Sequence, residues 1–392
     1  MPKPLFTIVI AQLFGTSLWF SANSAADDLV RDGAISAAAI GTLTNAVQLG
    51  FIVGTLGFSL SGLADRYPAS RIFAVSAVFG ALFNAAFAWL ASGLLSGVPL
   101  RFAVGFCLAG VYPLGMKLVV GWVPDRAGMA LAQLVGMLTL GTALPHGVRL
   151  AGAGWSWQAT VLVSSALALL AAAMVMRLGD GPHLQRASGS NVLGWGKVFE
   201  AWSVPAVRAA ALGYFGHMWE LYALWTLTPA IIVISGMAPA GSPTVSGLAF
   251  AVIGVGAIGC FVGGWWSRRI GSARVAAWAL GGSALGCAVF PLMDGWPLAW
   301  KLAVLLFWSC SAVADSPHFS ALSASACPPQ LVGSALAMQN AVGFAITMVS
   351  LQIGSQMISQ WGTRTAWLLL PGPLIGLVGL YPLWRTKAPL RA

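Results

Sequence analysis

Long, mostly apolar stretches recur along the whole chain, and within each stretch the apolar residues fall on all sides of a helix rather than alternating with polar ones. A helix needs about 20 mostly apolar residues to cross the hydrocarbon core of a bilayer. The strands of a membrane barrel would instead alternate over about ten residues. The pattern therefore predicts twelve transmembrane helices, near residues 5–26, 37–61, 72–92, 95–119, 129–151, 158–177, 208–235, 246–266, 275–293, 298–322, 329–356 and 366–384.

The longest polar stretch, residues 178–207, has six predicted spans on each side of it. Paired six-span halves recur in secondary transporters, with the substrate site near the bilayer midplane. We therefore predict an all-α membrane protein of two pseudo-symmetric six-helix bundles, residues 1–177 and 208–392, joined by a cytoplasmic linker over 178–207. An internal repeat supports the two halves, because SGLADRYPASR (Ser61–Arg71) follows span 2 and GGWWSRRIGSAR (Gly263–Arg274) follows span 8.

The composition excludes a soluble fold. Only 8% of the residues are charged, against about 25% in soluble domains, and the mean hydropathy is +0.83. With the N-terminus in the cytoplasm, 15 of the 20 Lys and Arg residues fall on the cytoplasmic side and four on the opposite side. This bias predicts that both termini are cytoplasmic. It also accounts for the net charge of +10 without nucleic acid, so the expected surroundings are the lipid bilayer of a bacterial inner membrane.

The five cysteines lie in or at the ends of predicted spans and form no C-x-x-C pair. Such cysteines behave as small apolar residues. The sequence therefore supports neither a disulfide scaffold nor a zinc site. We expect no metal centre and no cofactor.

Ionisable side chains inside the spans are the main candidates for function, because each costs at least about 2.5 kcal/mol at the bilayer centre. Glu220 lies near the middle of span 7, and His217 is three residues earlier on the same helical face. Glu220 is a candidate for proton coupling, or alternatively for an ion pair that holds the bundle together. His217 is either a proton relay or a packing residue. The H-x-x-E spacing also suits a metal, but such a site needs three or four ligands.

Arg101, in the outer third of span 4, can hold an anion through charge-assisted hydrogen bonds. Alternatively, it braces neighbouring helices through backbone carbonyls. Asp315 and His318, three residues apart in span 10, fit a transport, gating or helix-capping role. Further polar and aromatic candidates for contact with the substrate or a proton are His146, Asn45, Gln48, Asn340, Tyr222 and Trp225.

Three short motifs occur in the order found in one known family. The run Gly62-Leu63-Ala64-Asp65-Arg66, followed by Arg71, resembles the G-x-L-A-D-R-x-G-R-R motif of the major facilitator superfamily. The segment from Arg101 to Ala109 resembles its R-x-x-x-G-x-x-x-A motif, and the segment 124–128 resembles its P-x-x-R-G motif. With the span number and the linker, the resemblance covers the whole chain. The stretches AGVYPLGMKL and QNAVGFAITMVSLQ are similar to bacterial cyanate and nitrate/nitrite permeases, although spans 2 and 8 lack the arginine of nitrate porters.

The resemblance implies roles for the charged residues near the cytoplasm. Asp65 would meet the N-terminal end of span 11, where the helix dipole favours an anion. Arg66 and Arg71 would pair across the interface between the halves, with Arg126 as a plausible partner, and these contacts would lock an outward-open state. The arginine of the span 4 motif, here Arg101, has been linked to proton transfer in the family.

We expect a secondary transporter, acting as a monomer, that moves a small molecule, preferably a small anion, by proton-coupled alternating access. The open alternatives are an antiporter that exports drugs or metabolites in exchange for protons, a metal transporter and a sensor that no longer transports. A membrane enzyme is not expected, because the chain contains neither an H-E-x-x-H nor a G-x-S-x-G motif.

Overall fold

The computed structural model describes residues 1–33, 35–36, 39–184, 202–327 and 331–385, without the side chains of Asp65, Gly333 and Ser334. The predicted contact of Asp65, most of the predicted linker (185–201) and the C-terminal segment 386–392 therefore lie outside the described residues. All regular elements within the described ranges are helices. This confirms the predicted all-α fold class.

The helices are numbered here over the described residues. The N-terminal half contains α1 Lys3–Thr16, α2 Ser21–Ser24, α3 Ala26–Arg31, α4 Ala39–Ser61, α5 Leu63–Arg66, α6 Ala69–Leu90, α7 Leu94–Leu108, α8 Tyr112–Trp122, α9 Ala127–Ala151 and α10 Trp157–Leu178. The C-terminal half contains α11 Pro205–Ile234, α12 Pro243–Gly254, α13 Gly256–Ile270, α14 Ser272–Val289, α15 Leu298–Ala314, α16 Ser316–Ala326, α17 Val332–Trp361 and α18 Pro371–Arg385.

Among the described residues, ten stretches are long and apolar enough to cross a bilayer. The last of them, Ala335–Arg385, runs through both α17 and α18, and α1 is a shorter apolar helix. Several predicted spans are broken helices. Span 1 is interrupted by a turn over residues 17–20, and span 10 breaks at Asp315, directly before Ser316-Pro317. A count of twelve crossings stays a prediction.

The two groups of helices pack in the same way. In the first, α4 packs against α7, α6 against α10, and α1 against both α9 and α10. In the second, α13 packs against α15, α14 against α18, and α11 against both α17 and α18. These are the same pairs of spans counted from the start of each half. The repeated packing is what two pseudo-symmetric bundles require.

Contacts between the halves run through α4 with α17, and through α9 with α12 and α13. At the predicted external end, the Asn45 amide donates to the Met348 carbonyl at 3.1 Å and to Gln352 Oε1 at 3.2 Å. A Cβ added to Gly41 would lie 2.8 Å from the Ser355 Cβ, so α4 and α17 approach closely there. The halves are therefore in contact on this side.

Candidate functional site

A cavity lies between the two halves, on the predicted cytoplasmic side of the contacts between α4 and α17. The N-terminal half contributes Tyr112 and three residues of α9, namely Val135, Leu138 and Thr139. The C-terminal half contributes residues of α11, α15, α16 and α17, namely Tyr214, His217, Met218, Leu221, Tyr222, Trp225, Val313, Ser316, Ser320, Asn340 and Phe344. The wall is mainly aromatic and apolar, with a few hydroxyl, amide and imidazole groups. Such a lining is typical of a site for a small organic molecule.

Six aromatic side chains contact one another at the cavity, and three of them also line it. We call them the aromatic layer: Trp19, Phe20, Phe51, Tyr222, Trp225 and Phe344. Both halves contribute. The Trp19 ring lies 5.5 Å from that of Tyr222 and 5.7 Å from that of Phe344, and Phe51 lies 4.5 Å from Phe344. These centroid distances fall in the range in which aromatic pairs attract. The layer therefore holds the halves together at the depth of the cavity.

His217 and Asp315 form a buried pair at the cavity wall. His217 Nδ1 lies 2.8 Å from Asp315 Oδ1, and each side chain is 1% exposed. His217 itself lines the cavity, as does Ser316 next to Asp315. His217 Nε2 has no hydrogen-bond partner among the described residues. The break between α15 and α16 places Asp315 opposite α11. The two groups form an ion pair when His217 is protonated, and His217 keeps a second nitrogen available on its other side.

Glu220 faces away from the cavity, into the interior of the C-terminal half. Ser283 Oγ lies 2.6 Å from both carboxylate oxygens, and its single hydrogen serves one of them. The Cys287 thiol lies 3.1 Å from Oε1, and the indole N–H of Trp308 also donates to Oε1. These contacts join α11 to α14 and α15. The structure thus surrounds Glu220 with hydrogen-bond donors from its own half, and none of them belongs to a cation.

Arg101 lies in the interior of the N-terminal half and is 1% exposed. Its Nη2 donates to the backbone carbonyls of Leu18, at 3.0 Å, and Trp19, at 2.5 Å. Its Nη1 donates to Asn84 Oδ1 at 2.9 Å and Ser21 Oγ at 3.2 Å. The carbonyls are available because α1 is interrupted at residues 17–20. This is the bracing geometry that the sequence left as one alternative.

Arg101 and Glu220 are not brought together, since each is enclosed by its own half. His217 lies against Asp315, although sequence spacing placed it beside Glu220. Asn340, Tyr222 and Trp225 line the cavity. Of the other candidates, Asn45 joins α4 to α17, and three are buried: Gln48, His146 and His318.

The predicted gating residues Arg66, Arg71 and Arg126 are exposed at the ends of their helices. Nearby, Lys117 donates to the Ala64 carbonyl at 2.5 Å, and the backbone N–H of Ser70 donates to Asp180 at 2.8 Å. Lys117 thus ties α8 to the short helix that carries the motif. The gating roles of these arginines stay a prediction.

Sequence reasoning missed several polar partners. Asn84 connects three elements, because its oxygen accepts from Arg101 and Ser21 while its amide donates to the Val161 carbonyl at 2.9 Å. It is polar at membrane depth, so the criterion that selected Asn45 would have found it. The ion pair between Asp28 and Arg149, at 2.5 Å, was also missed. Only the folded chain brings those two residues together.

The cavity offers groups that suit the binding of a small organic molecule. Among the described residues, no group of three or more His, Cys, Asp or Glu side chains could hold a metal ion. What the cavity offers is a flat aromatic wall, one imidazole–carboxylate pair, and the hydroxyl and amide groups of Ser316, Ser320 and Asn340.

The family is shown by sequence. The profile described as Major Facilitator Superfamily matches residues 5–351, which is most of the chain. The chain belongs to this superfamily of transporters. The all-helical fold and the cavity between paired bundles agree with that assignment, and the resemblance of the three motifs is confirmed at the level of the family. It is an integral multi-pass membrane protein that transports a small molecule.

Solved major facilitator structures share the fold at low sequence identity. The proton:xylose symporter XylE bound to 6-bromo-6-deoxy-D-glucose aligns with a TM-score of 0.76 and 14% identity, over 97% of this chain and 96% of that one. A partially occluded, inward-open form of XylE from E. coli gives 0.73 and 13%, over 99% and 98% of the two chains. The human organic anion transporter MFSD10 (TETRAN) gives 0.71 and 14%, over 97% and 99%.

One curated relative matches in sequence. It is the Bacillus subtilis (strain 168) protein named "Putative niacin/nicotinamide transporter NiaP", 24% identical over 196 residues. The match covers 48% of this chain and 48% of that protein, so the aligned region spans about half the length of the relative.

Proposed function

We propose that this major facilitator protein is a proton-coupled transporter of a small organic anion that carries a flat aromatic ring. The observation that carries the proposal is the cavity between the halves, where aromatic side chains and the His217–Asp315 pair share one wall. A flat ring can stack against Tyr222 or Phe344, while a carboxylate can accept hydrogen bonds from protonated His217 and from the Asn340 amide. The niacin named for the Bacillus subtilis relative is a molecule of this class.

The proton in this proposal resides on the His217–Asp315 pair. When the pair is protonated, His217 is a cation that faces the cavity and attracts the substrate carboxylate. When the proton leaves, the imidazole is neutral and that attraction is lost. Proton and anion therefore favour each other's binding, which is the condition for transporting them together. Glu220, about one turn further along α11, is a second buried carboxyl group for the same proton pathway.

Transport proceeds by alternating access of the cavity. In the described state, α4 and α17 meet at the predicted external end and the aromatic layer covers the cavity on that side. Opening to that side requires the halves to separate at both places. Substrate and proton shift the balance between states only as far as they bind one state more tightly than the other.

The proposed setting is the inner membrane of a bacterium, with both termini in the cytoplasm and the protein acting as a monomer. The excess of Lys and Arg on one side of the spans supports this orientation. The matching halves also place the whole cavity within one chain, so a second copy is not needed to complete it.

Transport in proteoliposomes tests the proposal. Labelled nicotinate is supplied with and without an inward proton gradient, with nicotinamide as the uncharged analogue. We expect nicotinate to accumulate only with the gradient. Asp315→Asn should abolish this accumulation but retain exchange of nicotinate for nicotinate at a lower affinity, because the pair no longer takes up a proton while the aromatic wall and the Asn340 amide remain. His146→Gln is the control, since that buried histidine is not among the residues that line the cavity.

Two results would count against the proposal. Accumulation by Asp315→Asn equal to that of the wild type would remove the pair from proton coupling. Equal transport of nicotinamide and nicotinate would remove the anion from the substrate class. If neither compound is transported but uncharged solutes from a test panel are transported, the substrate does not belong to the class of aromatic anions.

A further inference from the structure

The turn between α13 and α14 carries three arginines within seven residues. Arg268 and Arg269 lie in the last turn of α13, Gly271 makes the turn with φ 88°, and Arg274 lies in the first turn of α14. Arg268 and Arg269 are exposed, and Arg274 is half-buried. This turn is the second copy of the repeat whose first copy contains Asp65.

Within the described ranges, the arginines of this turn have no acidic partner. The sequence contains no Asp or Glu between Glu220 and Asp294. In the part of the chain that the structure describes, no acidic side chain forms an ion pair with any of the three. Three positive charges thus remain available at the end of a helix pair that lies in the membrane.

Three exposed tryptophans surround these charges. Trp265, Trp266 and Trp278 are 47%, 40% and 57% exposed. The Arg269 guanidinium lies 4.5 Å from the centroid of the Trp265 ring, and Trp266 packs edge-on against Trp278 at 5.1 Å. The second contact joins α13 to α14, so the patch spans both helices. Val262, earlier on α13, is also exposed.

We propose that this patch, Arg268, Arg269, Arg274, Trp265, Trp266 and Trp278, binds the headgroup of an anionic phospholipid. Guanidinium groups form paired hydrogen bonds with a phosphodiester, and tryptophan rings prefer the depth of the headgroups. The exposed Val262 would contact the acyl chains. Basic groups at the membrane end of a helix are a known basis of anionic lipid recognition. The first copy of the repeat differs because it contains its own acid.

Lipid titration of the purified full chain in an uncharged detergent tests this proposal, with thermal stability as the readout. The lipids are phosphatidylglycerol and phosphatidylcholine, with inorganic phosphate as a separate arm. We expect phosphatidylglycerol alone to raise the melting temperature. The triple variant Arg268→Gln/Arg269→Gln/Arg274→Gln should need at least about tenfold more phosphatidylglycerol for the same effect. The control is Arg177→Gln/Arg364→Gln, which removes exposed arginines outside the patch and the predicted gate and should respond like the wild type.

Three results would overturn the proposal. The first is an equal response to the two lipids, and the second is an equal loss in the cluster and control variants. The third is full stabilisation by inorganic phosphate, which would mean a site for free anions. If the triple variant does not fold, Trp265→Phe provides a second measurement. Brominated phosphatidylglycerol should quench less tryptophan fluorescence in this variant than in the wild type, and unchanged quenching would contradict a lipid at the patch.

Discussion

Replacing Arg101 by alanine would remove the group that holds the interruption between α1 and α2. In the structure the guanidinium serves three acceptors besides Ser21, namely the carbonyls of Leu18 and Trp19 and the side-chain oxygen of Asn84. We therefore expect Arg101→Ala to destabilise the fold and to disturb the aromatic layer, because Trp19 belongs to both the interruption and the layer.

The size of the effect follows from counting acceptors. Ser21 Oγ lies 3.0 Å from the Leu18 carbonyl and 2.6 Å from Asn84 Oδ1, but its one hydrogen can serve only one of them. Two of the three acceptors are then left without a donor in a buried site. Each unsatisfied buried acceptor costs about 1–3 kcal/mol, so the expected loss is about 2–6 kcal/mol. Arg101→Lys keeps a cation that can reach one or two acceptors, and it should lose less.

A thiol-reactive dye provides the assay. Cys107, Cys260, Cys287 and Cys327 are buried, so the dye reacts with them as the chain unfolds on heating. The melting temperature should fall in the order wild type, Arg101→Lys, Arg101→Ala. In the proteoliposome assay, the maximal rate should fall more than the apparent substrate affinity, because Arg101 is not among the residues that line the cavity.

Stable variants with a selective loss of affinity would refute this reasoning. If Arg101→Ala melts like the wild type and binds the anion at least about tenfold more weakly, Arg101 contacts the substrate as a charged partner. Asn84→Ala provides the matched test of the bracing role. This variant should also have a lower melting temperature, because it loses the Asn84 amide that donates to the Val161 carbonyl.

Two further predictions concern packing and the buried carboxyl. Gly41→Ala should separate α4 from α17 at the predicted external side, since the new Cβ would lie 2.8 Å from the Ser355 Cβ. Gly57→Ala on the same helix is the control, because a Cβ there meets open space and should change nothing. The assay is the rate at which a membrane-impermeant thiol reagent, added outside, labels a cysteine that replaces Ser355. This rate should rise in the Gly41→Ala background and stay unchanged in the Gly57→Ala background. Glu220→Gln should melt near the wild type, because its amide oxygen still accepts a hydrogen bond from Trp308. Glu220→Ala should melt clearly lower, because the donors around it lose their acceptor. Equal melting temperatures for the two variants would contradict a stabilising role for these hydrogen bonds.

The membrane class, the all-helical fold and the family could be predicted from the sequence because they depend on patterns that persist over many residues. Apolar runs of helical length and a short loop motif keep their meaning without knowledge of the tertiary contacts. The number of spans does not follow from helix length alone, because some predicted spans are broken into shorter helices. A broken helix such as α1 with α2 contains no proline or glycine in its turn over residues 17–20, so no local signal predicts the break.

Partners of buried polar groups could not be predicted, because they come from distant parts of the chain. The spacing of His217 and Glu220 correctly placed two ionisable groups on one helix. It did not show that Asp315 lies opposite the first and Trp308 opposite the second. Likewise, the sequence offered an anion or backbone carbonyls as partners for Arg101. Only the interruption at Leu18 and Trp19 shows which carbonyls are available.

The aromatic layer also has a consequence for the electrical state of the membrane. Its rings come from both halves, and the Trp19, Phe51 and Phe344 side chains are at most 3% exposed. A dry apolar constriction of this kind excludes water, and without water neither a small ion nor a proton passes. We therefore expect the layer to exclude water, small ions and protons from the path between the halves in the described state. Proteoliposomes containing the protein without substrate should accordingly hold a proton gradient about as long as empty liposomes.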